Sequence, residues 1–297
     1  MTQNNKNIFY ILLFFAMIAW GATWVNAKIL SEYINEFEMV FLRIGITALT
    51  MVPIILVLKK SFKIDFKTFL LVCVSALVMI FYMKYYFLGT KLGTASLGGA
   101  FVTTLVPINT FLILVLMRSK TIEKKDMFAL GLGGIGVLTM LNAWSLKTED
   151  IFVLHNLYFI FASILWPVLT ILSSKSRNIS PIVFTFYLYI VVVLLDVLFF
   201  VDISNIAYAS FDSRFWINIF VITIAGSTFA NTIYFLGVEK LGASEVSSFI
   251  FLVPFSAIIL SVIFLGEEIG LNVIFGTLLT LFAVKILNNI TFFKEKR

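Results

Sequence analysis

Residues 249–268 read FIFLVPFSAIILSVIFLGEE, an apolar run long enough to cross a membrane, with a proline near its start and two carboxylates at its end. Residues 101–117 echo it as FVTTLVPINTFLILVLM, repeating Leu252-Val253-Pro254 as Leu105-Val106-Pro107. Upstream, Tyr86-Phe87-Leu88-Gly89 recurs as Tyr234-Phe235-Leu236-Gly237, and Lys91-Leu92-Gly93 as Lys240-Leu241-Gly242. The chain is a duplication, and its unit is built from membrane-length segments.

Composition agrees. Of 297 residues, 61% are hydrophobic and only 13% charged, with mean hydropathy +1.04; soluble domains sit nearer half apolar and a quarter charged. A bilayer core about 30 Å thick asks roughly 20 apolar residues of each helical span. Backbone polar groups in lipid must be satisfied within the helix, so spans of this kind are helical. The first apolar run, residues 8–30, is longer than a cleaved leader and is expected to be a retained span. One cysteine, Cys73, permits no disulfide within the chain and no cysteine metal site.

Apolar segments fall near 8–30, 37–58, 66–88, 95–117, 127–143, 152–174, 181–201, 214–238, 243–265 and 270–290, which predicts ten spans. Assigning successive connections to alternate sides puts fifteen Lys and Arg on the side holding both termini and three on the other. The positive-inside rule then predicts both termini in the cytoplasm of a multi-pass inner-membrane protein. It also accounts for the net charge of +6 without nucleic acid as a partner. Ten spans in two copies make five per copy, an odd number, so the second copy must enter the membrane in the opposite sense. Residues 1–145 and 146–297 are thus expected to be inverted five-helix halves, the organisation of secondary transporters that handle substrate near the midplane.

Trp20-Gly21-Ala22-Thr23-Trp24-Val25-Asn26-Ala27-Lys28 resembles the WG-containing first helix of the EamA branch of the drug/metabolite transporter superfamily. Leu252-Val253-Pro254 through Leu265-Gly266-Glu267, followed by Gly276, is similar to that family's closing motif. The resemblance runs the length of the chain. It implies a ten-helix all-α membrane fold and a permease that exports small metabolites, amino acids and related compounds first among them. One departure is plain: the first copy ends Met117-Arg118-Ser119-Lys120 where the second ends in Leu-Gly-Glu, so a coupling role for that acid carries over to Glu267 alone.

Candidate site residues follow from the pattern. Pro107 and Pro254 each remove a backbone donor at equivalent places, freeing the carbonyls of Thr103 and Ile250. With Asn109 and Ser256 two residues on, they read either as paired hinges beside a cavity or as tolerated kinks with locally bonded side chains. Lys28, Arg43, Lys84 and Asp196 are charges inside apolar segments. They read either as a vestibule for an anionic, carboxylate-bearing substrate or as groups that snorkel outward or pair with one another. Trp20, Trp24 and Lys28 share one helical face; with Trp166, Tyr82 and Tyr86, and with polar Asn109 and Asn231, they would line a cavity for a small amphipathic molecule. Core packing is the competing reading. Small residues before each proline, from Thr94 to Ala100 and from Ala243 to Ser248, predict close contact of spans 4 and 9 with each other or with spans 1 and 6.

Two motifs carry no chemistry. Residues 131–136 fit G-x-G-x-x-G, with Asp150 near the spacing of a ribose acid. The run lies inside an apolar segment with no strand before it, so helix packing is expected and not a dinucleotide site. His155, the sole histidine, opens a span at the interface. No cofactor is implied, and no phosphate loop for direct ATP drive is present. The chain is read as a transporter and not an enzyme. A lipid-linked sugar flippase is the alternative, and a membrane-embedded lipid-modifying enzyme a weaker one, since one histidine, one cysteine and no intramembrane acid pair offer it little.

Overall fold

The structure, a computed structural model, describes residues 3–145, 153–176, 179–241, 246 and 248–287. All regular structure among them is helical. In chain order the helices are α1 (Gln3–Leu30), α2 (Glu36–Val57), α3 (Phe66–Leu92), α4 (Ala95–Leu116), α5 (Lys124–Met140), α6 (Leu154–Ser174) and α7 (Pro181–Phe199). Then α8, residues 213–241, runs as α-helix Ser213–Phe220, π-helix Val221–Phe229 and α-helix Ala230–Leu241. Last come α9 (Leu252–Leu265), entered through a 3-10 turn at Ser248–Phe251, and α10 (Leu271–Leu287).

Short polar signals set the boundaries. Asn35 starts α2 with a reciprocal box, its side chain accepting from the amides of Phe37 and Glu38 while Glu38 accepts from the amide of Asn35 at 2.8 Å. Asp65, Thr94 and Asp212 accept from the amides of Thr68, Leu97 and Phe215 to start α3, α4 and α8. Gly266, at φ +65°, turns the chain after α9 in a conformation side chains avoid.

Among the described residues, seven helices are long and apolar enough to cross a membrane: α1 to α4 and α6 to α8. The other three expected spans are shorter. Helix α5 has 17 residues and opens on Lys124-Lys125-Asp126; α9 has 14, because the chain reaches Pro254 as a 3-10 turn; α10 has 17 as far as Leu287. Side chains such as Leu49, Leu70, Val74, Ile263 and Phe282 stand exposed on the outside of the bundle. Water does not tolerate so much contiguous apolar surface, and lipid does.

Helix packing shows the duplication. α1 packs on α9 and α6 on α4; α1 on α8 and α6 on α3; α2 on α8 and α7 on α3. Exchanging each helix with the one five places away interconverts the members of each pair, and maps the contacts α2–α7, α4–α9 and α5–α10 onto themselves. Between helices in lipid the hydrophobic effect is spent, so close van der Waals fit must hold them. Gly136 and Gly276 supply it where α5 crosses α10: a Cβ on Gly136 would stand 2.9 Å from the Gly276 carbonyl, and one on Gly276 2.6 Å from the Gly136 carbonyl. Gly133 abuts Ile108, whereas Gly131 and Gly134 face open space. Half of the glycine run is therefore the packing surface expected. In α4, Ala95, Ser96, Gly98, Gly99 and Ala100 are all buried, and α4 meets α1, α6 and α9 as the small residues predicted. The matching stretch in the second half, 242–245 with Ser247, lies outside the described residues, as do Lys147 and Asp150.

Candidate functional site

Helix α1 runs through the middle of the bundle, and its tryptophan face does two different jobs. Trp24 is 3% exposed and packs in the core, its ring 4.4 Å from Tyr86 and 6.1 Å from Phe159. One turn earlier, Trp20 is only partly buried; its Nε1 donates to Asn231 Oδ1 at 3.1 Å and its ring lies 5.1 Å from Tyr234. Tyr86 and Tyr234 are the duplicated tyrosines, so α3 and α8 each lay the same residue against a tryptophan of α1.

Around Trp20 gather side chains that, like it, are partly exposed: Arg43, Tyr82, Trp166 and Asn231. Asn231 Nδ2 donates to the Tyr189 hydroxyl of α7 at 3.0 Å. Tyr82 and Tyr86 stack 6.1 Å apart on α3, and Trp166 of α6 lies 4.8 Å from Tyr82. The Tyr86 hydroxyl donates to the Thr23 carbonyl at 2.8 Å. Arg43 of α2 projects among these rings, its guanidinium carbon 5.5 Å from the centre of Tyr86 and its Nε donating to Ser227 Oγ at 3.2 Å. No carboxylate pairs with Arg43 among the described residues. Partly exposed, the guanidinium has a cation–π contact and one hydroxyl for partners, and room for a further anionic one.

The π-helix is what brings α8 into register with Arg43. Ser227 Oγ donates back to the Ile222 carbonyl, five residues earlier, and Thr228 shares a 2.6 Å hydrogen bond with Thr50 of α2. Gly226, in the same segment, sits directly against the Thr23 side chain of α1. Widened turns of this sort are frequent at functional sites.

The structure thus gathers Trp20, Tyr82, Tyr86, Trp166 and Asn231 from the expected set and places the others elsewhere. Lys28 does not join this cluster: its Nζ donates to the carbonyls of Lys91 at 2.8 Å and Gly93 at 2.6 Å, capping the C-terminus of α3. Lys84 stands over the Phe37 ring at 5.4 Å. Asn109 Nδ2 donates to the Ser163 carbonyl at 3.0 Å and hydroxyl at 2.9 Å, tying α4 to α6. Pro107 sits inside an unbroken α4, while Pro254 is buried at the start of α9 where the 3-10 turn ends. The two prolines are equivalent in sequence and different in setting, and Ser256 bonds only to the Leu252 carbonyl of its own helix.

Glu267, the acid to which a coupling role would carry over, makes a structural contact. Its carboxylate accepts from the amides of Ala95 at 2.7 Å and Ser96 at 2.9 Å, so it caps α4 from the far end of the sequence. Together Lys28 and Glu267 satisfy both sides of the break between α3 and α4. At the same end, Asn26 donates to Asn218 at 2.7 Å, Arg214 pairs with Glu32 at 3.1 Å, and Tyr33 donates to Asp212 at 3.1 Å. Asp212 lies outside the spans; the Phe215 amide and these neighbours hold its carboxyl below the usual carboxylate range. Removing the cap by Glu267→Ala is expected to cost about 1–3 kcal/mol, the penalty for orphaned buried amides. A lower melting temperature in detergent, with Glu268→Ala unchanged, checks this.

Arg43 was visible as a charge in an apolar run but not distinguishable from Lys28 or Lys84. Tyr234 was marked by the duplicated motif, whereas Tyr189, Ser227 and Thr228 carried no signal that set them apart from other span residues, and the π-helix left only Gly226 as a trace.

The comparisons bear on the whole chain. The model of the EamA-like transporter family matches it twice, over residues 7–142 and 154–289. A Bacillus subtilis (strain 168) protein described as the uncharacterized transporter YyaM is 25% identical over 293 residues, covering 95% of this chain and 93% of that one. A solved crystal structure superposes with a TM-score of 0.62 at 15% identity, covering 94% of this chain and 96% of the other, a likeness of fold. Matched once in each half by the same family and built as a helical bundle faced for lipid, the chain belongs to the EamA-like transporter family, within the drug/metabolite transporters, and is a multi-pass membrane protein with a small-molecule substrate.

Proposed function

We propose that this protein is a secondary transporter in the cytoplasmic membrane that exports amino acids or related carboxylate-bearing metabolites by alternating access. The observation that carries the reading is Arg43, a cation without a carboxylate partner among the described residues, set among Tyr82, Tyr86 and Tyr189 beside the Trp20–Asn231 pair. An anionic group supplied by the substrate would complete it, while the rings accept an apolar body. The residues come from α1, α2, α3, α6, α7 and α8, hence from both of the halves we assign to residues 1–145 and 146–297. Rocking one half against the other would expose the cluster to each side in turn. The excess of Lys and Arg on one side supports cytoplasmic termini.

The test is exchange in proteoliposomes loaded with a mixture of amino acids and read by mass spectrometry of the external medium. Release of one or a few carboxylate-bearing compounds, dependent on the protein, is expected; conversion without movement would sink the reading. Asn231→Leu removes the link between Trp20 and Tyr189 and is expected to slow that exchange about tenfold, equivalent to about 1.4 kcal/mol. A rate equal to wild type would place Asn231 outside the site. A second reading has one observation behind it. An apolar recess of about 440 Å³ between α3 and α6, lined by residues such as Leu77, Phe81, Phe161 and Ile164, faces the lipid and suits the chain of a lipid-linked substrate. Movement of a lipid-linked sugar with no water-soluble compound would select it.

A further inference from the structure

Asp196 is a charged group of the bundle that the proposed site does not use. It is fully buried (0% exposed) near the end of α7, and neither carboxylate oxygen has a hydrogen-bond partner. The two readings of this charge taken from the sequence, snorkelling outward or pairing with Arg43 or Lys84, both fail on that geometry. Its backbone carbonyl is occupied, accepting from the amides of Phe200 and Val201 at 2.8 Å each. A bare carboxylate enclosed this way is far costlier than the neutral acid.

We propose that Asp196 is a proton-binding site, held as the neutral acid in the conformation seen here and emptied when the outer end of α7 moves toward water. Three features support it. Tyr189, Val192 and Asp196 are all buried and share one face of α7, so the helix that holds the Tyr189 hydroxyl against Asn231 also carries the acid, two turns or about 10 Å along. The charged and titratable groups on the elements packed against α7 leave the carboxyl alone. On α2, Arg43 is engaged with Tyr86 and Ser227, and Glu36 and Glu38 lie at the helix end; on α3, Lys84 stands over Phe37. Also on α3, Tyr82 faces Trp166; on α8, Arg214 pairs with Glu32 and Tyr234 lies against Trp20. Finally, a pocket of about 370 Å³ lies between the ends of α2 and α7, lined among others by Glu36, Phe37, Glu38, Phe200, Val201 and Asp202. Its lining includes Phe200 and Val201, whose amides bond to the Asp196 backbone carbonyl, so the pocket begins about one helical turn along the chain from the acid. A proton taken from that pocket converts carboxylate to acid, and its return to the pocket leaves a charge the apolar surroundings reject. Loss of the proton and displacement of α7 are thus one event, and the displacement reaches Tyr189.

The link to transport rests on the proposed function; proton binding does not, so the experiment uses no substrate. Wild type, Asp196→Asn and Asp196→Glu, each in lipid nanodiscs, are titrated from about pH 5 to about pH 9 across the range of shifted carboxyls, with infrared difference spectra recording the protonated carboxyl band. Wild type is expected to lose such a band as pH rises, Asp196→Asn to lack it, and Asp196→Glu to regain it at a shifted frequency. An unchanged band in Asp196→Asn overturns the proposal. So does sodium displacing the wild-type band at constant pH, which would make the site one for a metal cation. If the band behaves as expected while exchange in proteoliposomes fails, the proton site stands and the transport reading falls.

Discussion

Gly21→Ala is expected to lower the yield of folded protein and its melting temperature, although it adds a single methyl group to a helix and would ordinarily improve helix propensity. A Cβ at Gly21 would lie 2.5 Å from the Ser256 Cβ, 2.8 Å from the Ala257 nitrogen and 2.9 Å from the Ser256 carbonyl carbon. Two of those atoms are backbone and cannot rotate away, so α1 and α9 must separate. Overpacking costs typically 1–3 kcal/mol, and in lipid no hydrophobic gain offsets the lost contact. We expect about 2 kcal/mol of destabilisation. Gly131→Ala is the matched control: it sits in α5 with nothing within 4 Å of its Cβ position, so only the helix-propensity gain of about 1 kcal/mol remains. The two substitutions should move the melting temperature in detergent in opposite directions. Equal shifts would mean that the α1–α9 contact does not hold the bundle together.

The same glycine shows how far sequence reached. Hydropathy and duplication were enough for an all-helical membrane bundle, because a span's length and apolarity are local properties. Repeated motifs were enough to match helix with helix, since Gly89 of one Tyr-Phe-Leu-Gly copy abuts Phe159 of α6 and Gly237 of the other abuts Leu13 of α1. What stayed hidden is what depends on residues far apart in the chain. Glu267 was read with the apolar run it ends, yet it caps α4, whose amides lie more than 170 positions away. Lys28 shares a face with Trp20, and a face fixes direction, not partner; its partners are the open carbonyls at the end of α3. Pro107 and Pro254 looked alike because the repeat was read from three residues, while a 3-10 turn before one of them sets it apart. The cluster was legible in its aromatic members and in Asn231. Ser227 and Thr228 were not, because they lie in a π-helix over 221–229, and spacing rules assume α-helical turns.

Arg43→Gln is expected to have the largest effect on transport and almost none on folding. The guanidinium holds one hydrogen bond to Ser227 and a ring contact to Tyr86, with no carboxylate partner among the described residues to leave behind. Glutamine can keep a donor near Ser227, and a neutral group costs less there than a charge without a counterion, so the melting temperature should hold or rise. A substrate carboxylate at this cluster, by contrast, loses a charge-assisted contact at low dielectric. Truncating one partner of such a pair costs about 2–5 kcal/mol; at about 3 kcal/mol the exchange rate at subsaturating substrate falls roughly 100-fold. The signature is selectivity: exchange of an amino acid should collapse while that of its uncharged amide or ester changes little, and the ratio between them should invert. Arg43→Lys keeps the charge but not the fork that meets two oxygens at once, and should recover part of the rate. Measured as counterflow in proteoliposomes, an equal loss for acid and amide would make Arg43 a structural residue that organises Tyr86 and Ser227. No loss at all would move the anion-binding site out of this cluster.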